Sequence, residues 1–159
     1  MGGNGSYSKA WGGVPDAQRS HKDTKFKIGG HKVLLQTDNY NQIKNILNSN
    51  SANAIYLIAK ANNDGFIKVE SINVFEGHNL SYEINLVFDS NGNIVPFSEG
   101  KGTHAHKWSM NEKTGTLGRK SHDRKNLHLV DKKFDSLMSK IVKFNQDNNK
   151  YNETGKKKS

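Results

Sequence analysis

The chain of 159 residues contains no cysteine. That removes disulfides, thiolate zinc sites, iron–sulfur clusters and a cysteine nucleophile from the possible chemistry. Proline occurs twice, and Pro96 marks a strand end or an edge strand. No apolar run approaches the roughly 20 residues of a membrane-spanning helix, so no membrane partner is expected. The opening stretch MGGNGSYSKAWGG lacks the apolar centre of a secretory signal. The expected location is therefore cytoplasmic, or secreted by a signal-peptide-independent route. No internal repeat is present.

Two ends of the chain have little apolar periodicity. Residues 1–24 are rich in glycine, serine and polar side chains and are expected to form a flexible tail. Residues 146–159 are polar, end in Lys156, Lys157 and Lys158, and are expected to form a flexible basic tail. Residues 25–145 then make a single domain, large enough for one core.

Within that domain the pattern predicts an α+β fold: a curved antiparallel sheet of about five to six strands, a short helix before it and a longer C-terminal helix packed on it. Gly29 and Gly30 sit between two apolar stretches and suit a hairpin turn. Ile43, Ile46 and Leu47 have helical spacing, which predicts the short helix over 40–47. Residues 54–59 read as a central strand. Apolar alternation slips between Val69 and Ile72, which predicts a bulge at Glu70 and Ser71. Tyr82, Ile84, Leu86 and Phe88 alternate, and a further strand is expected over 100–108. Asp131 suits a helix cap, and Phe134, Leu137, Met138, Ile141 and Phe144 form an apolar helical stripe that reads as core.

Charge is unevenly placed. Residues 1–100 carry nine Lys/Arg and nine Asp/Glu, whereas residues 101–133 carry nine against three. That cationic region also holds four of the seven histidines. A localised basic patch suits a polyanionic partner such as RNA or another nucleic acid.

The segment GKGTHAHKW, 100–108, lies in this region. In a strand, His104, His106 and Trp108 share one face and Ala105 faces the other, towards the core. Histidine titrates near neutral pH, so one ring can accept a proton while another donates. His104, His106 and His122 are therefore candidate catalytic residues. Lys101, Lys107, Arg119, Lys120 and Arg124 are candidate phosphate-binding residues, with Arg119 in a charged loop. Gly100 and Gly102 would let backbone approach a phosphate. Alternatively His104, His106, His122 and Asp123 form a metal set suited to zinc or manganese. Both histidines of the pair are expected at the surface, and His21 is expected to be solvated in the tail.

The start Met1-Gly2-Gly3, the late Gly100-Lys101-Gly102, His104 and His106, with Arg119 and His122, together resemble the barnase–EndoU–colicin–RelE (BECR) group of RNases and toxin domains from phages and mobile elements. The resemblance implies a small sheet packed on helices, an RNA phosphodiester substrate, and catalysis without cofactor or metal. The leading expectation is a metal-independent endoribonuclease, with a toxin that has an immunity or host protein partner as one version of it. One rival is a nucleic-acid- or protein-binding factor, such as a phage-encoded inhibitor of host defence. The other is a metal-dependent nuclease or phosphodiesterase.

Overall fold

The computed structural model describes residues 21–37, 42–119 and 128–150. Lys120, His122, Asp123 and Arg124 lie outside the described residues, as do most of the two expected tails. Seven strands run in chain order across one open sheet: β1 (His21–Ile28), β2 (His31–Gln36), β3 (Ile55–Ala61), β4 (Ile67–Glu76), β5 (Asn79–Asn85), β6 (His104–Asn111) and β7 (Thr116–Arg119). One α-helix is present among the described residues, α1 (Asp135–Gln146). None is long and apolar enough to cross a membrane.

The fold is α+β, with two corrections to the expected layout. The sheet has more strands than expected, and β2 and β3 pair in parallel, so the sheet is mixed. The described residues 42–47 are not helical. Their backbone bonds go to the sheet: Lys44 N–H donates to Gln36 Oε1 at 2.8 Å and Ile46 N–H to Asn73 Oδ1 at 2.8 Å. Leu47 C=O accepts from Leu80 N–H at 2.9 Å. Tertiary partners thus satisfy groups that a helix would have paired internally. The apolar spacing serves burial all the same, because Ile46 is buried and Ile43 and Leu47 pack beside it.

Other local signals act as their chemistry dictates. Gly29 and Gly30 take φ of 59° and 84° and close the β1–β2 hairpin with two left-handed residues. Opposite Ile58 and Ala59 of β3 stand Ser71 and Val69 of β4, which leaves Glu70 as the bulged residue. Asp131 accepts from Lys133 N–H at 2.9 Å and opens the short 3-10 turn that leads into α1. The sheet does not wait until residue 25. β1 starts at His21, which is buried at 2% exposure with Nε2 3.0 Å from Lys44 O, so it is not a solvated tail residue.

Both faces of the sheet are covered. On one face Val33, Leu57, Ile72, Ile84 and Ala105 pack against Phe134, Leu137 and Ile141 of the helical segment. Burying Leu137 and Ile141 contributes about 1.5–3 kcal/mol each. On the other face Leu34, Tyr56, Ile58, Phe75 and Leu117 pack with Ile46 from residues 42–47, the crossing segment. Towards β5, β6 and β7 that second face changes from apolar to polar.

Candidate active site

β5 and β6 place the polar face by register. Asn85 pairs with His104, Glu83 with His106, and Trp108 with Arg119 of β7. Paired residues in antiparallel strands project to the same side. Glu83, Asn85, His104, His106, Trp108 and Arg119 therefore lie together on one face. Ala105 lies on the opposite face, buried at 5% exposure and packed into the helix-side core.

The two imidazoles touch. Their Nε2 atoms are 3.1 Å apart, with ring centroids 4.8 Å apart and planes at 86°. His104 Nδ1 lies 2.8 Å from Gly102 O, a carbonyl that only accepts, so Nδ1 carries the hydrogen. In the neutral pair His104 Nε2 is then a lone pair that accepts from His106 Nε2–H. His106 Nδ1 is left as a buried lone pair without a partner among the described residues. Asn85 Nδ2 stands 3.5 Å from His104 Nε2.

His106 is buried at 9% exposure, which corrects the expectation of a surface ring. Its Nε2 is taken up by His104, and Glu83, Arg119 and His128 lie near it. Burial holds its pKa below the usual 6.5, and Arg119 adds to the lowering, against an opposing pull from Glu83.

Beside the pair lies a charged cluster that the alternation of β5 did not single out. Glu83 is 1% exposed. Its Oε1 accepts from Arg119 Nε at 2.6 Å and from Trp108 Nε1 at 2.9 Å. Burial pushes the Glu83 carboxyl up, but Arg119, Trp108 and Asn45 outweigh it and hold the pKa below 4.5. Asn45 Oδ1 in turn accepts from Asn73 Nδ2 at 3.0 Å. The chain of contacts Arg119–Glu83–Asn45–Asn73 ties the crossing segment to the site. The sequence signal for Glu83 was its place between Tyr82 and Ile84, which lie on the other face, while Leu80 of the same strand packs on the face of Glu83.

The remaining candidates separate. Arg119 closes β7, with its side chain bound to the sheet and not placed in a loop. Lys107 pairs with Tyr82 on the helix side, so strand alternation turns it away from the histidines. Lys101 is exposed on the turn before β6. That turn replaces the first part of the expected strand, since β6 starts at His104. Gly102 is not open to a phosphate: a Cβ there would sit 2.1 Å from Pro96 O. Lys120, His122, Asp123 and Arg124 fall outside the described residues. Among the described residues no group of three or more His, Asp or Glu side chains could hold a metal ion.

Comparison with protein-family profiles, curated proteins and solved structures gives no match. The site therefore stands on its own geometry.

Proposed function

We propose that the protein is an endoribonuclease that works by histidine general acid/base catalysis without a metal. The observation that carries this reading is the His104–His106 contact at 3.1 Å, set beside an Arg119 that buried Glu83 holds in place. The base is the His104 Nε2 lone pair, which turns to the substrate when the hydrogen bond from His106 Nε2–H opens. It accepts the proton of the RNA 2′-OH as that oxygen attacks the adjacent phosphorus. It returns the proton to the departing 5′ oxygen, and a 2′,3′-cyclic phosphate is left. His104, the more exposed ring, meets the substrate. Arg119 keeps its outer guanidinium edge for the phosphorane oxygens while Nε is tied to Glu83. The likeness of the GKG–His–x–His segment to the BECR group supports the same chemistry.

The test is cleavage of RNA by the full chain in EDTA, with the products examined for a 2′,3′-cyclic end. His104→Ala should lower the rate by about 10²–10⁴. Affinity should fall steeply with salt through counterion release from the phosphates. Absence of cleavage by the wild type, or cleavage that EDTA stops and zinc or manganese restores, overturns the reading.

A further inference from the structure

Phe97 is an aromatic ring that neither hydrophobic core uses. It is partly buried, and its centroid lies 6.5 Å from that of His104, with the planes at 56°. The backbone around it is tightly specified. Ser98 and Lys101 exchange hydrogen bonds of 2.7 and 2.9 Å across Glu99 and Gly100, whose φ values of 53° and 78° make a two-residue hairpin turn. Gly102 packs under the Pro96 carbonyl, where no side chain fits. Thr103 N–H donates to Val95 O at 2.9 Å, and Thr103 Oγ1 accepts from Val87 N–H at 2.9 Å. Four constraints thus hold one aromatic residue beside the more exposed histidine, with exposed Lys101 on the same turn.

We infer that Phe97 is a nucleobase platform: the base flanking the scissile phosphate stacks on its ring, and the substrate is single-stranded RNA. The inference rests on the RNA reading above and adds the substrate class to it. A base in an A-form duplex is stacked on both faces and cannot lie on a protein ring, whereas an unpaired base can. Lys101 then meets the neighbouring phosphate, and the ring fixes the distance from that base to the His104–His106 pair. Trp108, the other aromatic of the site, has its indole N–H committed to Glu83.

The experiment measures binding of a fluorescein-labelled 2′-O-methyl oligonucleotide by anisotropy. This probe has no free 2′ nucleophile, so binding is read whether or not the protein cleaves. Phe97→Ala and Phe97→Leu should each weaken binding by roughly 5- to 150-fold, the range for one lost aromatic–base stack, and Phe97→Trp should restore it. Leucine keeps apolar volume in the turn, so it separates loss of the aromatic face from loss of the local fold. An abasic unit is then moved along the oligonucleotide. At one position it should weaken wild-type binding and cancel the difference between wild type and Phe97→Leu. The same probe annealed to its complement should show no dependence on Phe97. If Phe97→Leu binds as the wild type does, or no abasic position cancels its defect, the ring is no platform and the inference falls. Binding that depends on Phe97 in a protein that cleaves no RNA keeps the platform and removes the nuclease.

Discussion

Arg119→Met and Glu83→Gln break the same ion pair, yet they should not cost the same. Glu83 has a side chain 1% exposed, whereas that of Arg119 is 32% exposed. Losing Arg119 strands a carboxylate inside the protein with only Trp108 and Asn45 as partners, and breaking a buried pair from one side costs about 3–5 kcal/mol. Losing the charge of Glu83 strands a guanidinium that water still reaches, and the glutamine oxygen still accepts from Trp108. Solvent screening reduces that cost to about 1–2 kcal/mol. The pH dependence sharpens the contrast. In the wild type the Glu83 pKa lies below 4.5, so the stability this group adds is full above 4.5 and is lost as pH falls through the lowered value. In Arg119→Met burial acts with far less opposition and lifts the carboxyl above its ordinary value. Acidification then lets the stranded group take a proton and relieves the penalty. The gap between Arg119→Met and wild type should be widest near pH 7 and shrink towards pH 5. Urea unfolding at both pH values, with the double variant Glu83→Gln/Arg119→Met included, measures all of this. The double variant should be more stable than Arg119→Met alone, because it buries no charge. If Glu83→Gln costs as much as Arg119→Met, or if the gap is the same at both pH values, the assignment of a buried carboxylate held by Arg119 is wrong.

Three further outcomes follow from the same geometry. Ala105→Asp places a carboxylate in the helix-side core, where the alanine is 5% exposed, and should lower stability by about 1–3 kcal/mol or more, read by urea unfolding. Gly102→Ala adds a methyl 2.1 Å from Pro96 O at a φ of 95°, so it should cost about 1–3 kcal/mol or more and also displace the turn that carries Phe97, seen as amide shifts in NMR over 96–104. The lowered pKa of His106 means its ring stays neutral below 6.5, and the stability linked to that form is full above 6.5 and is lost as pH falls through the depressed value. An NMR titration of its ring should find the midpoint below 6.5 and move upward in Arg119→Met, and a midpoint at or above 6.5 would refute the burial argument.

What could be read from the chain depended on whether the signal was local. The Gly29-Gly30 turn, the Glu70 bulge, the shared face of His104 and His106 with Ala105 opposite, and the stripe of α1 all follow from two- or four-residue periodicities. Those periodicities act through the backbone beneath them. The 42–47 segment has an apolar spacing that suits a helix equally well. The decision was made by Gln36, Asn73 and Leu80, residues distant in sequence that take its backbone bonds. The seven-strand count and the parallel β2–β3 pair are non-local in the same way. Glu83 belongs to this class too. Nothing near it in sequence says that its face is covered, since Arg119 and Trp108 reach it from 36 and 25 positions away.

The cationic stretch illustrates how one strand converts sequence proximity into a site. Arg119 pairs with Trp108 at one point of β6, and His128 pairs with Ala105 at another, through hydrogen bonds of 2.9 and 3.0 Å. Arg119 and His128 therefore both pair with the strand that bears His104 and His106. His128 also contributes to the lowering of the His106 pKa, which places its charge near the pair. Glu83 neutralises only the inner side of this arrangement, through one nitrogen of Arg119. Below Lys101 and Arg119 the sheet is polar but nearly uncharged, with Asn85 and Asn73 beside the ion pair. The field on this face is accordingly set by residues at its rim, and under the proposed function that rim is what draws a phosphodiester towards the imidazole pair.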